Sequence, residues 1–330
     1  MKKIKDDEVR WGILGVGDVC EVKSAPAMNL VGNSRLVAVM RRNEAKVKDY
    51  AMRHQVPKWY TDADELINDP EVNAIYIATP PYVHKELTLK AASVGKPVYV
   101  EKPMARNYQE CLDMIAACET SNVPLYVAYY RRALPHFVKI KELIDAGAIG
   151  DIRYVNIQMN QVSRPEVVRD LENNWRVDPE IAGGGYFYDL ASHQLDFLDY
   201  ALGPIKQAKG ISVNQAGIYE AEDMVTAAFE FESGVMGTGS WCFAANEVSV
   251  KDWTVIYGSK GQISYESFGT GSLILETENT SKEVFEFDLP KHIQFPLIQL
   301  VVEDLLGMAS SPSTGVSASR TNKVMEQICS

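Results

Sequence analysis

The fold is decided by the stretch Trp11-Gly12-Ile13-Leu14-Gly15-Val16-Gly17-Asp18-Val19-Cys20. Its apolar beginning, Trp11–Leu14, predicts a buried strand, and the glycines predict a turn into a helix. In a dinucleotide-binding unit Gly15 would make the tight turn, and Gly17 would let the backbone approach a pyrophosphate. The helix facing the phosphates would open at Asp18 and Val19. Cys20 stands where a third glycine is expected, so a plain strand-to-helix turn stays open as an alternative.

The first 130 residues repeat one pattern, in which a short apolar run is followed by a turn and a helical stretch. The predicted strands are Trp11–Leu14, Leu36–Met40, Ala74–Ala78, Val98–Glu101 and Leu125–Tyr129. The predicted helices are Val19–Leu30, Ala45–His54, Ala63–Ile67, Val83–Val94 and Tyr108–Thr120. Apolar strands alternating with helices are typical of a doubly wound parallel sheet, which binds ligands at the carboxyl ends of its strands.

The second predicted strand ends in Arg41 and Arg42, where an NAD-binding unit usually carries an acidic residue for the ribose 2′-hydroxyl. Two guanidinium groups suit a 2′-phosphate, which they can hold through charge-assisted bonds. The pattern therefore favours NADP(H), with NAD(H) possible. The alternative is that both arginines are solvated in a loop.

Length and charge limit the function classes. A chain of 330 residues predicts about two domains. With 33 basic and 44 acidic residues the net charge is −11, which argues against nucleic-acid binding and against a polybasic membrane surface. No apolar run is long enough to span a membrane, and the N-terminus lacks the apolar region of a signal peptide. The five cysteines are scattered without a CxxC pair, which indicates a reducing, cytoplasmic setting.

Several further segments follow the glycine turn in a recognisable order. They are Thr79-Pro80-Pro81-Tyr82-Val83-His84, Glu101-Lys102-Pro103, Tyr130-Arg131-Arg132-Ala133-Leu134-Pro135, Trp175-Arg176, Gly183-Gly184-Gly185 and Asp189-Leu190-Ala191-Ser192-His193. In this order and spacing they resemble the Gfo/Idh/MocA oxidoreductases, the family of glucose–fructose oxidoreductase and inositol dehydrogenase. Tyr130 replaces the asparagine of the family pattern.

The resemblance implies an N-terminal Rossmann domain over 1–130. Over 131–330 it implies a C-terminal α/β domain with a large, open, mostly antiparallel sheet. Alternating patterns agree with strands at Arg153–Val162, Thr226–Phe231, Gly237–Phe243, Trp253–Tyr257 and Ser272–Glu276. The apolar face of such a sheet implies a homo-dimer or homo-tetramer.

The candidate catalytic residues are Lys102, Asp189 and His193. If a helix covers Tyr186–Leu202, Asp189 and His193 lie one turn apart on one face, where a carboxylate can orient an imidazole. A satisfied core histidine is the structural alternative. The resemblance implies that His193 moves the substrate proton, that Asp189 orients His193 and bonds a substrate hydroxyl, and that Lys102, before a cis bond to Pro103, stabilises charge on the reacting oxygen.

The resemblance also implies the remaining site residues. Cofactor contacts are expected at Thr79, Pro80, His84, Glu101, Lys102, Trp175 and Arg176, beside Gly15, Gly17, Asp18, Val19, Arg41 and Arg42. Substrate contacts are expected at Tyr129, Arg132, Asp189 and His193. No metal is expected, since no HExxH or comparable ligand set is present. The three glycines before the Asp189 helix are interpreted as allowing the backbone to approach a ligand closely.

These observations predict an NADP-preferring oxidoreductase that transfers a hydride between nicotinamide and the carbinol or carbonyl carbon of a sugar, polyol or related cyclic alcohol. Two alternatives stay open. One is a non-catalytic sensor of cofactor or ligand on the same fold. The other is a reductase of a non-sugar substrate, such as a trans-dihydrodiol or a tetrapyrrole.

Overall fold

A computed structural model describes residues 3–162, 174–279 and 281–330. The chain divides into two compact units. The first comprises Met1–Ala133 and Pro290–Ser319, and the second comprises Leu134–Leu289 and Arg320–Ser330. The prediction that all of 131–330 forms the second domain is therefore wrong for the segment Pro290–Ser319.

The first unit contains a six-stranded parallel sheet in the order β3-β2-β1-β4-β5-β6. The strands are β1 (Val9–Leu14), β2 (Ser34–Met40), β3 (Lys58–Tyr60), β4 (Ala74–Ile77), β5 (Val98–Val100) and β6 (Leu125–Val127). This order is that of a Rossmann fold, so the predicted doubly wound sheet is confirmed. The prediction missed β3, whose three residues are too few to show a pattern.

The helices of the first unit lie between these strands and in the returning segment. They are α1 (Asp18–Val22), α2 (Ala25–Leu30), α3 (Glu44–Arg53), α4 (Ala63–Asn68), α5 (His84–Ser93), α6 (Tyr108–Thr120) and α10 (Phe295–Leu305). The single helix predicted over Val19–Leu30 is two helices, because the chain leaves helical geometry at Ser24 and restarts with Pro26 in the first turn of α2.

Buried side chains cover both faces of the parallel sheet. One face carries Trp11, Tyr76 and Tyr99, and the buried side of α10, from Leu297 to Leu305, packs in the same cluster. Burying this apolar stripe stabilises the Rossmann core, which explains why the segment 290–319 belongs to the first unit.

The second unit contains an eight-stranded sheet in the order β14-β13-β12-β11-β7-β10-β9-β8. Among the described strands of this second sheet, β7 and β10 form the one parallel pair, and all other neighbouring strands pair antiparallel. The strands are β7 (Ile152–Val162), β8 (Ile205–Val213), β9 (Met224–Phe231), β10 (Met236–Ala245), β11 (Lys251–Gly258), β12 (Gly261–Tyr265), β13 (Ser272–Thr277) and β14 (Glu283–Glu286). The predicted large, mostly antiparallel sheet is confirmed.

The remaining helices are α7 (Pro135–Asp145), α8 (Pro179–Ala182), α9 (Ser192–Leu202) and α11 (Gly315–Cys329). A five-residue π-helix, Phe187–Ala191, leads directly into α9. The regular helix predicted over Tyr186–Leu202 is therefore wrong in its first half, where Asp189 lies.

Candidate active site

The glycine turn after β1 lies where the sequence predicted it. Gly15 has φ +91°, a conformation that favours glycine. A Cβ added there would come within 2.6 Å of Thr79 Cγ2. Gly15 is therefore needed both for the turn and for the close approach of the segment that follows β4.

Gly17, unlike Gly15, has open space on the side where a Cβ would lie. Its φ of −135° is ordinary extended backbone, and an added Cβ would find only Gly15 O, at 4.0 Å. The face of Gly17 is thus open, and the backbone of Asp18 and Val19 begins α1 beside it. This arrangement fits a bound pyrophosphate.

Cys20 fills the place of the third glycine in the first-unit core. It is fully buried, and burial raises the pKa of its thiol to about 12. A buried thiol that stays protonated is unreactive, so Cys20 serves packing beside the glycine turn.

Arg41 and Arg42 follow β2 and have different surroundings. Arg41 Nη1 donates a hydrogen bond to the Val16 carbonyl oxygen at 3.0 Å, so its guanidinium lies against the glycine turn. Arg42 is exposed, and its Nη2 lies 3.5 Å from the Tyr82 hydroxyl. The alternative of two solvated arginines therefore does not describe Arg41.

The segment after β4 carries Thr79 and Pro80. Thr79 Oγ1 is buried and has no hydrogen-bond partner among the described residues. An orphaned hydroxyl beside Gly15 can donate to a bound dinucleotide, so this observation also fits the predicted cofactor.

His84 was predicted to contact the cofactor, and the structure places it in the interior instead. It is fully buried, with Nε2 2.8 Å from Thr79 O and Nδ1 3.1 Å from Met104 O. Burial lowers its pKa, whereas the hydrogen bonds with the two carbonyl oxygens act to raise it. His84 therefore connects the segments after β4 and β5, and it positions groups without presenting a free nitrogen to a ligand.

Glu101 directly follows β5 and lies in a buried polar network. Its Oε1 accepts hydrogen bonds from the Tyr76 hydroxyl and from Gln294 Nε2, each at 2.6 Å. Its Oε2 accepts from the backbone N–H of Lys102 at 3.2 Å. Tyr99 completes the network by donating to Gln294 Oε1 at 3.0 Å. The carboxylate thus fixes the backbone from which the Lys102 side chain starts, and the predicted cis bond before Pro103 is confirmed.

Two predicted substrate contacts are buried in the first unit. Tyr129 is a member of the apolar core cluster beneath the sheet. Arg132 is 2% exposed and its Nη1 donates to Pro312 O at 2.6 Å and to Ser317 Oγ at 2.8 Å. These contacts hold Arg132 within the first unit, and the predicted substrate contacts of Tyr129 and Arg132 stay predictions.

Asp189 and His193 belong to the second unit and lie on either side of the junction between the π-helix and α9. Residues at i and i+4 stay about one turn apart in a π-helix as in an α-helix, so the one-turn relation of Asp189 and His193 stays a prediction. Short π-helical segments occur often at functional sites.

Arg176 was predicted to contact the cofactor, and the structure brings it to Asp189. Arg176 Nε lies 3.6 Å from Asp189 Oδ2, and the guanidinium stacks over the Trp175 ring at 4.5 Å from its centroid. Both charged side chains are partly exposed, at 43% and 23%. The ion pair can therefore contact a ligand within the second unit.

The three glycines before Asp189 serve close packing within the protein. Gly183 ends α8 in a left-handed conformation, with φ +84°. A Cβ on Gly184 would come within 2.2 Å of the Tyr188 ring, and one on Gly185 within 2.7 Å of Ala221 Cβ. The prediction that these glycines admit a ligand is therefore wrong for Gly184 and Gly185, whose open sides are filled by side chains.

A chain of contacts supports His193, which is 3% exposed. The Phe268 ring lies edge-on to the imidazole, with 5.9 Å between centroids and 76° between planes. The Phe268 N–H donates to Asp252 Oδ2 at 2.5 Å, and Gln194 Nε2 donates to Asp252 Oδ1 at 3.3 Å. Gln194 is held in turn by the indole N–H of the buried Trp241, at 2.7 Å. Sequence reasoning missed these residues because no local motif marks them.

Asp196, which follows on α9, is fully buried and accepts a hydrogen bond from Thr321 Oγ1 at 3.3 Å. Among the residues that the structure describes, no group of three or more His, Cys, Asp or Glu could hold a metal ion. Within the same residues, no helix combines the length and apolarity needed to cross a membrane.

Comparison with known proteins agrees with this architecture. Residues 9–129 match the family model described as "Oxidoreductase family, NAD-binding Rossmann fold", and residues 137–264 match "GFO/IDH/MocA C-terminal domain". A relative from Formosa agariphila, "Oxidoreductase P35", is 41% identical over 98% of this chain and 99% of its own. The "Trans-1,2-dihydrobenzene-1,2-diol dehydrogenase" of Mus musculus is 29% identical over 77% of this chain and 73% of its own.

Solved structures share the fold. The aldose-aldose oxidoreductase of Caulobacter crescentus, complexed with glycerol, has a TM-score of 0.86 and 24% identity, covering 97% of this chain and 96% of that one. A levoglucosan dehydrogenase in complex with NADH and levoglucosan has a TM-score of 0.85 and 20% identity over the same shares. The two family matches and the relative from Formosa agariphila show that this chain is an oxidoreductase of the Gfo/Idh/MocA family, with an NAD-binding Rossmann domain.

Proposed function

We propose that this protein is an NADP(H)-preferring oxidoreductase that transfers a hydride between nicotinamide and a carbinol or carbonyl carbon of a sugar, polyol or related cyclic alcohol. Two structural neighbours support the substrate class, since their structures contain glycerol and levoglucosan. The nicotinamide, when bound, accepts or donates the hydride.

The cofactor preference rests on one observation, the hydrogen bond from Arg41 Nη1 to Val16 O. This bond holds the Arg41 guanidinium at the glycine turn. The end of β2 carries no acidic residue of the kind that an NAD site uses to bind the ribose 2′-hydroxyl. Arg42, Thr79, Pro80 and the backbone of Gly17, Asp18 and Val19 complete the proposed cofactor contacts. Because the structural neighbours include complexes with NADH, NAD(H) is the competing cofactor.

The proposal gives each catalytic residue one task. In oxidation, His193 accepts the proton of the substrate hydroxyl as a hydride passes to the nicotinamide from the carbon that bears this hydroxyl. In reduction, His193 returns the proton to the oxygen of the carbonyl group that accepts the hydride. Asp189 orients His193 and accepts a hydrogen bond from a second substrate hydroxyl. The Lys102 ammonium stabilises negative charge on the reacting oxygen. Glu101 serves this step by fixing the Lys102 backbone.

Replacing Arg41 with alanine is expected to raise the dissociation constant for NADPH about 10-fold or more, because a charge-assisted contact to the 2′-phosphate is lost. The dissociation constant for NADH, which lacks that phosphate, is expected to change less than threefold. Fluorescence titration of both nucleotides measures this. Arg35→Ala at the other end of β2, where Arg35 pairs with Glu8, is the matched control. An equal loss of affinity for both nucleotides in Arg41→Ala would remove the argument for NADP(H).

Two other functions compete. A trans-dihydrodiol dehydrogenase is favoured by the mammalian relative named for that activity. A ligand sensor would keep the cofactor site without turnover. Assaying the protein with both nucleotides against a panel of sugars, polyols and a trans-dihydrodiol separates these functions. Tight cofactor binding without turnover of any panel member would favour the sensor.

The proposal includes a cytoplasmic homo-dimer or homo-tetramer formed through the second-unit sheet. Apolar side chains on the sheet are exposed, and a soluble monomer rarely leaves a large patch of them open. The most exposed are Ile211 and Val213 on β8, Met236 on β10 and Val284 on β14. Light scattering is expected to give a mass of two or four times 36.8 kDa. A mass of one chain at micromolar concentration would contradict the assembly.

A further inference from the structure

The loop between β8 and β9 has a fixed backbone. Asp223, which is 1% exposed, accepts the N–H groups of Gln215 at 2.8 Å and of Ala216 at 2.7 Å. Asn214 Nδ2 donates to the Tyr219 carbonyl oxygen at 2.5 Å. Because both ends and the middle of the loop are tied down, the Tyr219 side chain starts from a defined position.

This loop packs against the segment that leads to Asp189. Because Gly185 has no side chain, Ala221 can pack against its backbone. A Cβ added to Gly185 would lie 2.7 Å from Ala221 Cβ. The Tyr219 ring stands edge-on to the Tyr186 ring, with 5.7 Å between centroids and 83° between planes. Tyr186 is three residues before Asp189, whose charge acts on the Tyr186 hydroxyl. Tyr219 thus packs against Tyr186, the residue on which the charge of the candidate catalytic carboxylate acts, within one unit.

The hydroxyl groups of these two tyrosines differ. Tyr186 Oη accepts a hydrogen bond from Asn174 Nδ2 at 3.1 Å. Tyr219 Oη is shielded from solvent and has no hydrogen-bond partner in the described part of the chain. A shielded, unsatisfied hydroxyl destabilises a fold, and such groups in native proteins often serve a ligand or a water molecule.

The charge around Tyr219 indicates what it can bind. Burial and the nearby Asp223 carboxylate raise its pKa above the usual range, so the phenol stays protonated and can donate a hydrogen bond. The groups that act on it are Asp223, Tyr186 and Cys242, which bring negative charge or none. Such surroundings disfavour an anionic ligand group and suit a neutral oxygen.

We propose that the Tyr219 hydroxyl is a specificity-determining group that hydrogen-bonds a neutral hydroxyl or ether oxygen of the substrate, away from the reacting carbon. This inference rests on the proposed function, and it requires that the substrate carry at least one oxygen beyond the one that is oxidised or reduced. Sugars and polyols meet that requirement.

The test compares Tyr219→Phe with Tyr186→Phe, two variants that each lose one hydroxyl. Removing an unpartnered hydroxyl is expected to leave the melting temperature of the ligand-free protein equal to or above that of the wild type, whereas removing the partnered Tyr186 hydroxyl is expected to lower it. For the best substrate among levoglucosan, L-sorbose and glycerol, Tyr219→Phe is expected to raise KM about fivefold with kcat within twofold, since a contact made in both ground and transition states is lost.

Two results would overturn the proposal. A melting temperature that falls as far as in Tyr186→Phe would mean that the Tyr219 hydroxyl has a protein partner. A KM equal to that of the wild type would mean that it touches no substrate oxygen. If none of the three compounds is turned over, the proposed function fails separately. The role of Tyr219 is then tested by the rise in melting temperature that each compound causes. No rise in the wild type, or the same rise in wild type and Tyr219→Phe, would overturn that role.

Discussion

Replacing Lys102 with alanine is expected to lower kcat about 100-fold or more, the scale for loss of a positioned group that stabilises charge or assists proton transfer. The structure supports a defined position for this lysine. Its backbone N–H is held by Glu101, which is held by Tyr76 and Gln294, so the start of the side chain is set by a buried network. The measurement is steady-state turnover of the best panel substrate with saturating cofactor.

The control for Lys102 is Lys85→Ala, which removes another partly exposed lysine of the first unit, one paired with Asp113 at 3.4 Å. That variant is expected to keep wild-type turnover. Nucleotide binding by Lys102→Ala should stay measurable in a fluorescence titration, which separates a chemical defect from loss of the cofactor. Wild-type turnover in Lys102→Ala would contradict its catalytic assignment.

The strands, turns and helices that were predicted correctly depend on short sequence patterns. The strand Trp11–Leu14 and the turn at Gly15 follow each other directly, and the left-handed φ at Gly15 is a property that the residue type itself indicates. The helix predicted over Tyr108–Thr120 begins and ends at those residues, because Asn107 caps it and its apolar positions recur regularly. Each of these depends on neighbours within a few residues.

The errors concern contacts between distant residues. His84 follows a strand end, as a ligand residue would, but its ring is buried against Thr79 and Met104, which sequence order does not reveal. Glu101 binds Gln294, which lies 193 positions later. The π-helix at Asp189 depends on how the segment packs, since a regular helix satisfies the same pattern. No sequence motif surrounds Tyr219 or Phe268, so only the folded chain shows that they contact Tyr186 and His193 respectively.

Replacing His193 with alanine is expected to lower kcat about 100-fold or more, because the substrate hydroxyl then loses its proton to water. Steady-state turnover of the best panel substrate in the oxidative direction, with saturating cofactor, measures this loss. A melting temperature equal to that of the wild type separates loss of the base from loss of packing.

His54→Ala is the matched control, since it removes a partly buried histidine that pairs with Glu21 in the first unit. That variant is expected to keep wild-type kcat. Asp252→Ala tests whether the position of the His193 ring matters. This substitution removes the hydrogen bonds from the Phe268 N–H and the Gln194 amide, so Phe268, the neighbour of the imidazole, is no longer held in place. We expect a smaller fall in kcat, about 10-fold, that Asp252→Asn largely restores because an amide oxygen can still accept the Phe268 N–H. Wild-type turnover in His193→Ala would show that another group takes the proton.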